Sequence, residues 1–294
     1  MGSLDGRVAL ITGAGHGLGR EHALLFAEEG AQVVVNDLNV NLDGSPLTTS
    51  AAEQVVEEIT AAGGVAVANH GDVADFESAQ EMIAQAVETF GRLDVVVNNA
   101  GFIRDSYLHK MTEQQFDDVI RVHIKGHFAT LRHATDHWRG RSKSGEEVNG
   151  AVINTISGSG TTHPNPGQIN YGAAKAAIAA MTSVASVELD RIGVRVNAVS
   201  PVARTRATLA TPGRIGEMMR APEDPGAPDT YHPRQVSALV AYLASAACPL
   251  TGKLYRVHGG DITELDGWTL GESFNSDEAW TVQSVADALG VAVA

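Results

Sequence analysis

The strongest constraint on this chain is a rhythm of short apolar runs set between longer amphipathic stretches. The runs are VALIT (8–12), QVVVN (32–36), VAVAN (65–69), LDVVVN (93–98), AVINTI (151–156), VRVNAV (194–199) and KLYRVH (253–258). Each has the length of a strand, is rich in β-branched residues and shows little polar alternation, as strands buried on both faces do. Helical periodicity falls between them, at about 17–29, 50–62, 75–90, 112–138, 170–191 and 232–246. Strand, helix, strand at this spacing predicts an α/β fold, a doubly wound, seven-stranded parallel sheet with helices on both faces. The series is unbroken, so residues 1–294 are expected to form a single domain. Polar loops at 39–50 and 139–150 interrupt the rhythm. Segment 203–231, rich in Pro and Arg, is too long for an ordinary connection and reads as an inserted binding loop. A tail at 261–294, with Trp268 and Trp280, follows the last strand.

Charge and cysteine content narrow the functions open to such a chain. Acidic residues number 35 against 21 Lys and Arg, a formal charge of −14. The footprint of a nucleic-acid or anionic-membrane binder is therefore missing. The one cysteine, Cys248, excludes an intrachain disulfide and leaves no cysteine set for zinc, so no metal is expected. No apolar run reaches the ~18 residues of a membrane span. The opening MGSLDGRVALITG lacks the basic and apolar regions of a signal peptide, and the final VAVA is not an SKL-type address. The expectation is a soluble cytoplasmic protein with a small-molecule partner.

Three motifs carry chemistry. ITGAGHGLGR places Gly13, Gly15, Gly17 and Gly19 between the first strand and the first helix. Glycines there allow a tight turn and let backbone N–H groups approach a pyrophosphate at the helix N-terminus. Asp37 ends the second strand, where a carboxylate accepts a ribose 2′-OH and repels a 2′-phosphate; the alternative is a helix cap or loop charge. Asp72, after the third strand, is an adenine contact or an ordinary cap. NNAG, with Asn99, Ala100 and Gly101, follows the fourth strand at the expected cofactor crevice. Tyr171 and Lys175 (YGAAK) share a helix face. A lysine charge ~4 Å from a phenol, at an effective dielectric of ~20, is worth ~4 kcal/mol, enough to draw its pKa toward a working range. Ser157, at the end of the fifth strand, stands where it can hydrogen-bond a substrate oxygen.

TGAGHGLG, NNAG, the serine before YGAAK and NAVSP (197–201) occur in one order over residues 5–260, and together they resemble the short-chain dehydrogenase/reductase family. The resemblance implies a single Rossmann domain. It implies Tyr171 as proton donor and acceptor, Ser157 as orienter of the reacting oxygen, and Lys175 as ligand of the nicotinamide ribose that lowers the Tyr171 pKa. It extends the cofactor set to His16, Leu18, Val73, Pro201, Val202 and Thr205. His16 stands where NADP-preferring relatives often carry Arg or Lys, which with Asp37 implies NAD. The family's relay asparagine is replaced by His123 in VHIKG (122–126), either a relay through water or a packed core histidine. The interval from Ser157 to Tyr171 is one residue longer than usual, which leaves Ser159 as an alternative. A finer resemblance, in the glycine turn through NDL, in VVEEITAAGGVAVAN, in NNAGFIRD and in VHIKG, is to the (3R)-hydroxyacyl-CoA dehydrogenase unit of multifunctional enzymes of type 2 and to bacterial steroid and acyl-CoA relatives.

The leading expectation is thus an NAD-dependent dehydrogenase of a 3-hydroxyacyl-CoA. The alternatives are a hydroxysteroid dehydrogenase on a CoA-free substrate, an acyl-carrier-protein reductase, against which Asp37 argues, and a non-catalytic NAD sensor. Arg204, Arg206, Arg214 and Arg220, with Arg104 and Lys110 nearby, are a candidate handle for CoA phosphates; the alternative is pairing with Glu217, Glu223, Asp224 and Asp229 in the same loop. The family resemblance also implies a dimer or tetramer, paired through the 112–138 and 170–191 helices.

Overall fold

The computed structural model describes residues 2–41, 44–211, 213–224 and 226–290. The side chains of Arg214 and Ile215 lie outside what is described, and the expectation for Arg214 with them.

The seven expected strands form: β1 (Val8–Thr12), β2 (Gln32–Asn36), β3 (Val65–Asn69), β4 (Val95–Asn98), β5 (Gly150–Thr155), β6 (Val194–Val202) and β7 (Leu254–His258). All pair in parallel. The sheet carries one strand more than expected. β8 (Asp261–Glu264), the start of the tail, turns back at Gly259–Gly260 and pairs antiparallel with β7, His258 opposite Asp261. The order is β3-β2-β1-β4-β5-β6-β7-β8. The chain winds outward from β1 through β2 and β3, then restarts at β4 on the other side. The carboxyl ends of β1 and β4 therefore flank the switch point, where such sheets open a crevice.

The helices are α1 (Gly17–Glu28), α2 (Ala51–Ala61), α3 (Phe76–Phe90), α4 (Glu113–Ile120), α5 (Gly126–Lys143), the short α6 (Gly158–Thr161), α7 (Ile169–Asp190), the short α8 (Arg206–Leu209) and α9 (Arg214–Met218), α10 (Arg234–Ala244) and α11 (Val282–Ala288). Sequence decides several boundaries. Ser50 and Asp75 cap α2 and α3, and Gly91, at φ +81°, ends α3. The single helix expected at 112–138 is instead α4 and α5 joined by one π turn, Arg121–Lys125, and α5 runs on to Lys143 through part of the expected 139–150 loop.

Alternate residues of each strand feed opposite layers. Ile11, Val33, Val35 and Val97 meet Phe26, Val55, Ile59 and Leu243 of α1, α2 and α10 on one face. Leu10, Val34, Val96 and Val152 meet Met82, Ile83, Trp138 and Leu189 of α3, α5 and α7 on the other. Both faces are covered, so the apolar runs need no polar side. No described helix is long and apolar enough to cross a membrane.

Candidate active site

The site is assembled from the carboxyl end of β1 outward. Thr12 is buried there, and its hydroxyl accepts the N–H groups of Asn99 (3.0 Å) and Ala100 (3.1 Å). Asn99 Nδ2 donates in return to the carbonyls of Thr12 and Gly13, each at 3.0 Å. The turn after β4 thus clamps the glycine turn. A Cβ on Gly13 would lie 2.7 Å from Ala100 Cα, and one on Gly19 would lie 2.3 Å from the Gly13 carbonyl oxygen. Those two glycines are there for close packing. Gly17, at φ +53°, opens toward Thr205, whose Cγ2 would be 3.7 Å from an added Cβ. Pro201 and Val202 are the last residues of β6, and Thr205, just beyond, lies beside the glycine turn.

Asp37 is buried at the end of β2, accepting the N–H groups of Gly15 and Asn39 at 2.9 Å each. No side chain caps α1 at His16. The His16 Nε2 is buried with no partner among the described residues. Burial holds its pKa below the usual value, and the charge of Arg206 pushes the same way, which places Arg206 close to the turn. An uncapped helix N-terminus, an orphaned ring nitrogen and a carboxylate with free lone pairs fit the pyrophosphate and ribose of a dinucleotide. Asp72 has two donors of its own. Its Oδ1 accepts the Ala74 N–H (2.8 Å) and its Oδ2 the Arg121 guanidinium (2.8 Å), the arrangement of a cap. Val73 beside it is buried, and a Cβ on Gly126 would lie 2.8 Å from its Cγ2.

Tyr171 and Lys175 stand one turn apart on α7. The Ser157 side chain lies close enough to the Tyr171 phenol to lower its pKa. Ser157 also caps the short α6, its Oγ accepting the Ser159 N–H at 3.2 Å. Ser159 is directed elsewhere, donating to Gln168 Oε1 at 2.8 Å. Ser157 is therefore the serine that meets the phenol. Burial raises the Tyr171 pKa, the Ser157 side chain lowers it, and the Asp105 carboxylate raises it again; the net shift is upward. This differs from the expected downward pull of Lys175. The Lys175 Nζ is 5.7 Å from the centre of the Tyr171 ring and donates to the Thr155 carbonyl at 2.6 Å. Burial brings its own pKa down to about 7, so its charge is weakened where it was to act.

His123 lies in the π turn, fully enclosed, with its ring edge-on to Tyr171 at 5.3 Å between centroids. Its Nε2 is 2.8 Å from the Phe102 carbonyl oxygen, while its Nδ1 is buried without a partner among the described residues. Burial first, then the Lys175 charge, drops its pKa to about 3. It is a neutral ring at any ordinary pH. A Cβ on Gly101 would lie 2.3 Å from His123 Cε1, so the glycine of NNAG admits this ring.

Of the arginines expected as a phosphate handle, Arg204 takes the alternative of pairing within its own loop. Arg204 is held by both oxygens of Asp229, and its backbone N–H donates to the Tyr231 carbonyl at 2.7 Å, so it closes segment 203–231 on itself. Arg206 is exposed, near enough to His16 for its charge to be felt there, and Arg220 is exposed.

Several residues escaped the sequence reading. Asp105, with its pKa raised by burial, accepts from Gln168 Nε2 at 2.9 Å and so joins the network behind Ser159. Asn170 ties the loop after β4 to α7 by donating to the Arg104 and Gln115 carbonyls at 3.0 Å each. A buried chain, Thr130 to Asn98 to Asn154 to Thr182, crosses beneath the site. Beside Ser157 a cavity of about 250 Å³ is bounded by His163, Asn165, Ser200 and Arg256. Its one legible sign was an arginine inside the apolar run KLYRVH.

Residues 7–211 match the family described as short chain dehydrogenase. Hydroxyacyl-CoA dehydrogenase ChsB1 of Mycobacterium tuberculosis is 41% identical over 281 residues, covering 93% of this chain and 84% of its own length. The peroxisomal multifunctional enzyme type 2 of Mus musculus is 39% identical over 89% of this chain, which spans 33% of that longer protein. Among solved structures, a short chain dehydrogenase from Mycobacterium avium is 49% identical with a TM-score of 0.85, covering 100% of this chain and 98% of its own. The chain belongs to the short-chain dehydrogenase/reductase family, oxidoreductases that act on CH–OH groups with a nicotinamide cofactor.

Proposed function

We propose that this protein is an NAD-dependent dehydrogenase interconverting a 3-hydroxyacyl-CoA and its 3-keto form. The observation that carries the chemistry is the closeness of the Ser157 side chain to the Tyr171 phenol at the carboxyl edge of the sheet, close enough to lower the phenol's pKa. The names of the relatives, at 41% and 39% identity, support the acyl-CoA class. Asp37 supports NAD, since its buried carboxylate suits a ribose hydroxyl and opposes a 2′-phosphate.

The bound nicotinamide supplies or accepts the hydride. Gly13–Gly19, His16 and Asp37 would hold the dinucleotide, with Pro201, Val202 and Thr205 closing over it. Ser157 and the phenol of Tyr171 converge on one substrate oxygen and orient it. With its pKa raised, Tyr171 is protonated at neutral pH and ready to give its proton to a ketone oxygen. Running the reaction toward the ketone requires the phenol to lose that proton, and Lys175, with its Nζ 5.7 Å from the ring centre, is a cation in position to help it. His123, kept neutral, supports the Tyr171 ring and the loop after β4.

Tyr171→Phe keeps the ring and removes the acid. Turnover on 3-hydroxyacyl-CoA substrates is expected to fall ~10²-fold or more with cofactor affinity retained. Near-normal turnover would remove Tyr171 from the mechanism. The engagement of Arg204 by Asp229 weakens the phosphate handle and favours a second reading, a CoA-free hydroxysteroid or other secondary alcohol. Steady-state assay against both substrate classes, with NAD and with NADP, separates the two.

A further inference from the structure

We propose that Arg256 recognises a second oxygen of the substrate, one placed close to the reacting carbon. The subsite rests on the 3-hydroxyacyl reading above. Arg256 sits in β7 between Ser200 of β6 and Thr263 of β8. Its strand neighbour Leu254 packs with Ile156 and Ile178, on the sheet face covered by α7. Two residues on, Arg256 belongs to that same face and lines the cavity that Ser157 also lines.

Arg256 is half-buried, and among the described residues no hydrogen bond or ion pair engages its guanidinium. The contrast with Arg204, Arg234 and Arg20, each held by a carboxylate, is direct. A guanidinium drawn partly from water needs an acceptor, and its planar fork suits a carboxylate or carbonyl oxygen.

The size of the cavity says which oxygen. About 250 Å³ is below the ~300–1,000 Å³ of sites that enclose a drug-sized ligand. It admits the reacting end of a substrate and not a whole CoA ester. The phosphates of CoA lie beyond a long pantetheine arm, too far to share a small cavity with the group at Ser157. The oxygen within reach is the one two carbons from the carbinol. That is the thioester carbonyl of a 3-hydroxyacyl-CoA, or the carboxylate of the free 3-hydroxy acid.

The test compares the full-length protein with Arg256→Met and Arg256→Lys. Three probes are used: acetoacetyl-CoA, acetoacetate, and cyclohexanone, which has no second oxygen. Binding is read from the fluorescence of NADH in the ternary complex, turnover from NADH oxidation, and folding from thermal melts. Arg256→Met is expected to weaken binding and raise KM at least 10-fold for whichever of the first two the unaltered protein prefers. NADH affinity, the melt and cyclohexanone reduction should stay unchanged. Arg256→Lys should recover part of the loss for acetoacetate and less for acetoacetyl-CoA. Equal affinity in Arg256→Met, or binding of neither oxygenated probe by the unaltered protein, overturns the subsite. Reduction of acetoacetate but not of acetoacetyl-CoA overturns the CoA reading while the subsite stands. Reduction of acetoacetyl-CoA with no effect of Arg256→Met does the reverse.

Discussion

Asp37 accepts two backbone N–H groups, and an ionised carboxylate offers about four acceptor sites, so room is left for a ribose hydroxyl. Hydrogen bonds to charged groups are worth ~1.5–3 kcal/mol, or roughly 10–100-fold in affinity. Asp37→Ala is therefore expected to cut the ratio of kcat/KM for NAD over NADP by about that factor, since it removes the attraction for one cofactor and the repulsion of the other. Steady-state kinetics with both cofactors checks this, and an unchanged ratio would refute the role. At this scale the sequence is legible where function depends on local spacing. Tyr171 and Lys175 follow from a four-residue interval, and Asp37 from its place at a strand end. It is silent where a side chain chooses a distant partner. Lys175 finds the Thr155 carbonyl rather than the phenol, and which of the four acids named for the loop arginines holds Arg204 is decided only by the fold, in favour of Asp229. Burial, not Lys175, then sets the direction of the Tyr171 pKa, and burial is a property no spacing rule contains.

The glycine turn is a feature of two elements, not of one motif. Asn99, on the turn after β4, donates to two carbonyls of the turn after β1, and Thr12 returns two acceptor contacts. Asn99→Ala leaves the Thr12 and Gly13 carbonyls without these donors. Each unsatisfied group costs ~1–3 kcal/mol. The variant should lose stability on that order and bind dinucleotide more weakly, as measured by denaturant unfolding and a cofactor titration. Unchanged values in both would show that the clamp is idle. NNAG is visible in sequence, but its partner is set by the β1–β4 pairing, which the order of strands in the chain does not state. The π turn at Arg121–Lys125 was hidden for another reason. One extra residue in a helical turn leaves the apolar period almost intact, so 112–138 reads as one helix. β8 was missed because its four residues are all exposed and carry no apolar pattern.

At the scale of the whole molecule, what is exposed and what is buried each set one behaviour. Phe116, Phe128, Val184 and Val187 are exposed on α4, α5 and α7. Apolar side chains spread over neighbouring helices support a homo-oligomer through that layer, and a monomer by light scattering at micromolar concentration would refute it. The second behaviour is acid lability. His22, hydrogen-bonded to Ser237 through Nδ1 (2.8 Å), and His123 are buried with pKa values of about 3, and His127 is held well below the usual range by burial. In the unfolded chain each titrates near ~6.5. Between that pH and about 3, unfolding therefore takes up protons, and stability falls as pH falls. At ~1.4 kcal/mol per proton per pH unit, three such groups remove up to about 4 kcal/mol between pH 7 and pH 5.5, a large part of the ~5–15 kcal/mol that holds a domain folded. Lys175, brought down to about 7, acts in a different window: it makes stability rise with pH from about 7 toward its unfolded value and adds little slope below. Asp105, raised by burial, works against the histidines as one group against three. Urea unfolding of the cofactor-free protein at pH 7.0 and 5.5 should show this loss. His22→Asn, read in the cofactor-free protein, should flatten the slope by about a third whatever it does to stability at pH 7. A difference below ~1 kcal/mol between the two pH values would mean that these histidines gain protons in the folded state and are not sealed as the structure places them.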